Sequence, residues 1–193
     1  GELWYDSTNK DFKYQYPNVT AAGSWRTQNS LNTARQQLGG AGSQTQALAF
    51  GGTTGSVTGA TEQWAGSSWT EVNDLNTARR LMTGRGSYTS ALAVGGFIPP
   101  QSAITESWNG TNWTEVNDLN NTKYGLGSAG ADNTSVLVFG GYDGSSYQDQ
   151  TESWNGTNWT EVNNMNTGRG TGGSTGTVTS ALYYGGEDPA KAN

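Results

Sequence analysis

Apolar residues along this chain fall in short bursts separated by glycine, asparagine and threonine, and no window sustains a 3.6-residue period. Four bursts end in paired glycines: 47–50 before Gly51-Gly52, 91–94 before Gly95-Gly96, 136–139 before Gly140-Gly141 and 181–184 before Gly185-Gly186. A basic residue (Arg35, Arg79, Lys123, Arg169) precedes the first glycine of each pair by 16, 16, 17 and 16 residues. Ten or eleven residues past the second glycine comes a Glu-x-Trp triplet headed by Glu62, Glu106 or Glu152. A second tryptophan follows the first by five, giving Trp64 and Trp69, Trp108 and Trp113, Trp154 and Trp159. The stretch 105–119 returns almost letter for letter at 151–165, with a looser copy at 61–75. Each period predicts four short antiparallel strands: a glycine-rich strand carrying the basic residue, an apolar strand ending in Gly-Gly, Glu-x-Trp, and Trp-Thr-Glu-Val. Four strands in about 40–50 residues is the signature of a propeller blade.

The two ends complete the count. Residues 1–6 read as a strand running into a turn, and 10–16 as a second strand with Phe12, Tyr14 and Tyr16 on one face. Residues 24–31 match 68–75, with leucine six places after tryptophan in both. The last period stops after two strands. The missing marks, Glu2, Trp4 and Trp25, stand at the beginning, so all eight tryptophans fall into four pairs. The join from Gly186 through the chain ends to Glu2 spans nine residues, against ten or eleven elsewhere. The expectation is an all-β, four-bladed β-propeller occupying 1–193 as one domain, with blades at about 32–75, 76–119, 120–165 and 166–193 plus 1–31. Its last blade takes strands one and two from the C-terminus and strands three and four from the N-terminus, removing two open sheet edges. A piece of a longer tandem array is the alternative, and its open ends would need partners.

Composition narrows the chemistry. Hydrophobic residues make up only 32%, but eight Trp, nine Tyr and four Phe supply large buried areas. Twenty-nine glycines against four prolines fit many tight turns. Cysteine and histidine are both absent, which removes disulfides, thiolate metal sites and the commonest general base. A net charge of −6 argues against nucleic acid and anionic membranes as partners. No apolar run has transmembrane length. No signal-peptide pattern opens the chain, and its start at Gly1 leaves room for an upstream segment.

The Asn-Thr-Ala-Arg motifs at 32–35 and 76–79, the Gly-Gly pairs, Glu-x-Trp and Trp-Thr-Glu resemble kelch-type propeller repeats. They are more similar still to the kelch-like arrays of marine bacteriophage structural proteins. The opening 1–14 looks like a short motif of phage tail-fibre proteins. The resemblance covers nearly the whole chain and implies a virion location, with other virion proteins, a host-surface glycan or protein, or further copies of the chain as partners. It lacks the adaptor modules of cellular kelch proteins and the His, Cys and Tyr copper set of kelch-fold galactose oxidases, so that activity is rejected and no cofactor or metal is expected.

Recurrence separates scaffold from site. Arg35, Arg79, Lys123 and Arg169 with Glu2, Glu62, Glu106 and Glu152 recur once per blade and read as structural ion pairs. Trp4, Trp64, Trp108 and Trp154 with Trp25, Trp69, Trp113 and Trp159 read as packing. Binding is expected where copies differ. One such region is the loop between strands two and three, with Phe97, Ile98, Tyr142, Asp143, Tyr147 and Asp149, all four of these loops sharing one face. The other is the insertion between Trp4 and Trp25, sixteen residues longer than its counterparts, where Phe12, Tyr14 and Tyr16 would dock the disc onto a neighbour on the opposite face. The function expected is a non-enzymatic, adhesin-like virion module contacting a host glycan or protein. The alternatives are a purely structural or decoration protein and, as a third, a polysaccharide depolymerase using an acidic pair.

Overall fold

The structure, a computed structural model, describes residues 27–188 in full, residue 8, and the backbone of 3–6 and 11–14. Among these residues there are 16 strands and no helix. The first sheet holds β3 (Gly39–Gly42), β4 (Ala47–Phe50), β5 (Thr61–Trp64) and β6 (Trp69–Val72). The second holds β7 (Thr83–Ser87), β8 (Ser90–Val94), β9 (Thr105–Trp108) and β10 (Trp113–Val116). The third holds β11 (Gly127–Asp132), β12 (Ser135–Phe139), β13 (Thr151–Trp154) and β14 (Trp159–Val162). All pairings are antiparallel between consecutive strands. The all-β architecture of repeated four-stranded sheets is therefore as the spacing implies.

The ends differ from a completed fourth sheet. Among the described residues β15 (Gly173–Thr177) and β16 (Ser180–Tyr184) pair only with each other. β1 (Leu3–Asp6) pairs with β2 (Asp11–Tyr14), Asp6 facing Asp11, and not with β16. A local hairpin of this length closes a much shorter loop than a strand returning from the far end of the chain, and so costs less entropy. The basic residues also sit elsewhere than expected. Arg79 lies in the connection four residues ahead of β7, not on the strand.

In the first two sheets burial is greatest in the two middle strands and least in the outermost one. β8 is buried along 91–94, because both of its faces meet neighbouring sheets. The outer strand β10 buries its Trp113 and exposes Thr114 and Glu115. The first and second sheets share a core of Leu48, Phe50, Leu75, Ala91 and Trp113, and the second and third one of Leu92, Val94, Leu119, Val138 and Trp159. The glycine-rich inner strands lie side by side, β3 against β7, β7 against β11 and β11 against β15. A Cβ on Gly84 would come within 2.5 Å of Phe50 Cζ and 2.6 Å of the Gly40 carbonyl, so that crossing admits only glycine.

The Gly-Gly marks are where one sheet grips the next. Gly95 and Gly96 hold φ of 63° and 115°, and the Gly96 amide donates to the Lys123 carbonyl of the third sheet at 3.0 Å. Gly52 does the same to Arg79 and Gly141 to Arg169, both at 2.9 Å. A second backbone chain links the sheets: Leu81 N–H to Gln37 O at 2.8 Å, Gly125 to Leu81 at 2.9 Å, and Thr171 to Gly125 at 2.8 Å.

Candidate functional site

The recurring charges form clamps within each sheet. Glu62 accepts from Arg35 Nη1 and from the Asn32 amide at 2.6 Å. Glu106 accepts from Arg79 Nη1, the Asn76 amide at 2.7 Å and the Asn76 side chain at 2.9 Å. Arg79 also donates to the carbonyls of Gly95, Thr77 and Ala93, each at 3.0 Å. Burial pulls the Arg79 guanidinium below its ordinary value, and Glu106 opposes that. In the third sheet Lys123 Nζ stands 3.0 Å from Glu152 Oε1, and a lysine has no fork with which to reach the carbonyls as well. For Glu62, burial pushes the carboxyl up, but the Arg35 hydrogen bond and the Asn32 and Thr33 amides together hold it below its ordinary 4.5. These three glutamates are neutralised, and none stands as a free acid. Among the described residues the Arg169 side chain meets no carboxylate, and its guanidinium makes a long 3.5 Å reach to the Gly185 carbonyl.

The tryptophans divide by role. Trp64, Trp108 and Trp154 are 6%, 0% and 2% exposed and pack on their partners across the hairpin, with ring centroids 5.5, 5.3 and 5.2 Å apart. The second of each pair reaches the preceding sheet. Trp113 Nε1 donates to Thr61 Oγ1 at 3.2 Å and Trp159 Nε1 to Thr105 Oγ1 at 3.1 Å. Trp69 is only half-buried. Glu2, Tyr16 and Trp25 lie outside the described residues, and Trp4, Phe12 and Tyr14 are described as backbone only.

The loops after the Gly-Gly pairs lie on one face, each bridged to the residue that follows a basic clamp: Thr53 to Gln36, Phe97 to Arg80, Tyr142 to Tyr124 and Glu187 to Gly170. Four rings run unbroken across two of these loops. Phe97 meets Tyr124 at 5.4 Å, Tyr124 meets Tyr142 at 5.6 Å, and Tyr142 meets Tyr147 at 5.0 Å. Arg80 caps one end, its guanidinium carbon 5.1 Å from the Phe97 centroid. At the other end the Tyr147 hydroxyl donates to Glu187, and that bond, with burial and the Glu187 charge behind it, raises the phenol to about 12. All four rings are half-buried and still open to solvent, meeting edge to face at the first two contacts and tilted at the third.

The remaining loop residues hold this run in place. Ile98 donates its amide to the Pro100 carbonyl at 3.0 Å, and Gln101 donates to the Asp143 carbonyl, tying the second loop to the third. Asp143 Oδ1 accepts from the Ser145 amide, the Ser145 hydroxyl and the Ser146 amide, each at 2.8 Å. The Ser146 amide above all holds its carboxyl below the ordinary range. Asp143 therefore caps its own loop, and among the described residues no cluster of acids suits a metal ion. Asp149 stands outside the run, its carbonyl accepting from the Met165 amide at 2.9 Å.

Three participants escaped the sequence reading. Tyr124 and Arg80 follow the recurring basic residue, at a position filled by Gln36 and Gly170 in the other periods, and that variability was the available signal. Arg85 breaks the run of small residues on the inner strands, where its counterparts are Ala41, Ala129 and Thr175. Its Nε reaches the Ser128 carbonyl at 2.9 Å and its Nη2 the Ser174 carbonyl at 2.7 Å, so one side chain spans three sheets. With that geometry in view, comparison with known proteins adds nothing: no protein-family model and no curated protein matches the chain.

Proposed function

We propose that this chain is a non-enzymatic binding module, a closed four-bladed kelch-like propeller of a phage virion, whose loop face contacts a host-surface glycan or protein. The observation that carries the binding reading is the aromatic run Phe97–Tyr124–Tyr142–Tyr147, which lies where the repeats cease to resemble one another. Pre-fixed rings lose little conformational entropy when a partner stacks on them, which is why aromatics dominate binding surfaces. The virion assignment rests on the repeat resemblance alone. The neutralised glutamates weigh against a depolymerase.

The test is binding of the whole chain to host cells and to glycan arrays, compared with Phe97→Ala and Tyr142→Ala variants whose circular dichroism is unchanged. Loss of binding in both variants is expected. If the unaltered chain binds no host-derived surface, the reading fails, and a decoration role with contacts only to other virion subunits replaces it.

A further inference from the structure

We infer that the third repeat carries a sugar-binding pocket on the loop face, one that takes a neutral pyranose unit beside the rings of Tyr124, Tyr142 and Tyr147. This rests on the loop-face reading above and deepens it: of the glycan and the protein named there, it commits to the glycan and gives it a site.

The pocket has a volume of about 280 Å³ and is lined by Asn121, Thr122, Lys123, Asp143, Gln148 and Gln150, all of them polar or charged. Lys123, Asp143 and Gln148 are the chain neighbours of Tyr124, Tyr142 and Tyr147, so the pocket borders the ring run. Sites for drug-sized ligands span about 300–1,000 Å³, and a pocket just below that range is room for a single ring.

The third repeat differs here from the second. Bridges and loop bonds align Asp143 with Ile98, Gln148 with Ser102 and Gln150 with Ile104. The basic motif aligns 121–123 with 77–79. Three apolar residues of the second repeat, Ala78, Ile98 and Ile104, are thus Thr122, Asp143 and Gln150 in the third. Arg79 fills its place with a fork that reaches the carbonyls of Gly95, Thr77 and Ala93. Lys123 keeps the charge pair with Glu152 but has no fork, which opens room beside it. The scaffold does not require these changes, since the second sheet forms without them.

The groups present match a polyol. Asp143 Oδ1 is taken up by Ser145 and Ser146, while Oδ2 accepts from Gln148 Nε2 at 2.8 Å. That nitrogen also donates to the Ser146 hydroxyl at 2.8 Å, so the Gln148 carbonyl is the group it turns to a ligand. Asn121 and Gln150 bring an acceptor and a donor apiece, and Thr122 a hydroxyl. Vicinal sugar hydroxyls both donate and accept, and the C–H face of the same ring is drawn to the negative face of a tyrosine. A protein partner anchors through buried aromatic or aliphatic side chains, for which an all-polar lining is a poor fit. Charge selects a neutral sugar. Lys123 is matched by Glu152, Asp143 is the charge left over, and the chain stands at −6, so an acidic sugar is repelled.

The experiment uses the full chain. The probes are the methyl glycosides of glucose, galactose, mannose and N-acetylglucosamine, with glucuronic acid as the charged control, read by saturation-transfer NMR and by titration. At least one neutral glycoside is expected to bind and glucuronic acid is not; equal binding of glucuronic acid overturns the selection of a neutral ring. Gln150→Ile, which installs the residue of the second repeat, is expected to weaken binding about tenfold. Lys123→Arg, which refills the place as in the first two sheets, is expected to weaken it at least as much without lowering the urea midpoint. If no neutral glycoside binds, if both variants bind as the unaltered chain does, or if binding falls only where the urea midpoint falls with it, the pocket is overturned. Host-cell binding that Phe97→Ala abolishes and neither pocket variant affects points to a protein partner and overturns the glycan assignment while the loop-face reading stands. Glycoside binding that both pocket variants weaken, in a chain that binds no host surface, upholds the pocket and overturns the host reading instead.

Discussion

Replacing Arg79 by methionine tests the energetic logic of the repeat. The side chain is fully buried and so is its partner Glu106. The substitution keeps apolar bulk but removes the ion pair and the donors to the carbonyls of Gly95, Thr77 and Ala93. It strands a buried carboxylate that retains the Asn76 amide and side chain and the Thr77 amide at 3.3 Å. Breaking one side of a buried pair costs about 3–5 kcal/mol, and the surviving donors place this case at the lower end, about 3 kcal/mol. Arg79→Lys should fall between, losing about 1.5–3 kcal/mol, because the charge remains while the fork to the carbonyls goes. The third sheet already carries that arrangement in Lys123 and Glu152. Urea denaturation followed by tryptophan fluorescence measures both, with the m-value checked for constancy. A loss below about 1 kcal/mol for Arg79→Met, the range of solvent-exposed pairs, refutes the reasoning, as does a lysine variant no better than methionine.

Three further outcomes are expected. Glu62 is held below its ordinary value of 4.5, so its contribution to stability is complete above that pH and is lost as pH falls through the lower folded value; urea midpoints from about pH 6 to pH 3 should show this, and Arg35→Gln should flatten the dependence. Tyr147, raised to about 12 by Glu187, should ionise near the ordinary 10.0 in Glu187→Gln, read by ultraviolet titration against Tyr147→Phe. Gly84→Ala should destabilise by about 2–3 kcal/mol in thermal or urea unfolding, since one of the atoms in its way is a backbone carbonyl that cannot rotate aside.

The repeat period, the four-strand content of each complete unit and the cation–glutamate marks were legible in the chain, because each is a local or periodic constraint. A β-strand needs only its own alternation and turns, and a buried charge pair must recur with the unit that buries it. The roles of the paired residues were less visible. Nothing in Trp-Asn-Gly-Thr-Asn-Trp says that one indole packs inside its own sheet and the next hydrogen-bonds a threonine more than fifty residues away; only the stacking of sheets makes that bond. The same holds for the glycine pairs, whose second amide is spent on the following sheet.

The loop face shows the division most sharply. Variation marked Phe97, Tyr142 and Tyr147, but Tyr124 and Arg80 belong to a different segment of the repeat and join the run only because a bridge brings that segment alongside the loop. Arg85 was invisible for the same reason: a cation among small residues has no partner in sequence, and its carbonyl acceptors come from two other sheets. The chain by itself determined which strands form and how often, since backbone geometry and periodic burial are written locally. The tertiary structure alone decided which residues of different repeats meet, because that depends on the angle and spacing at which whole sheets pack.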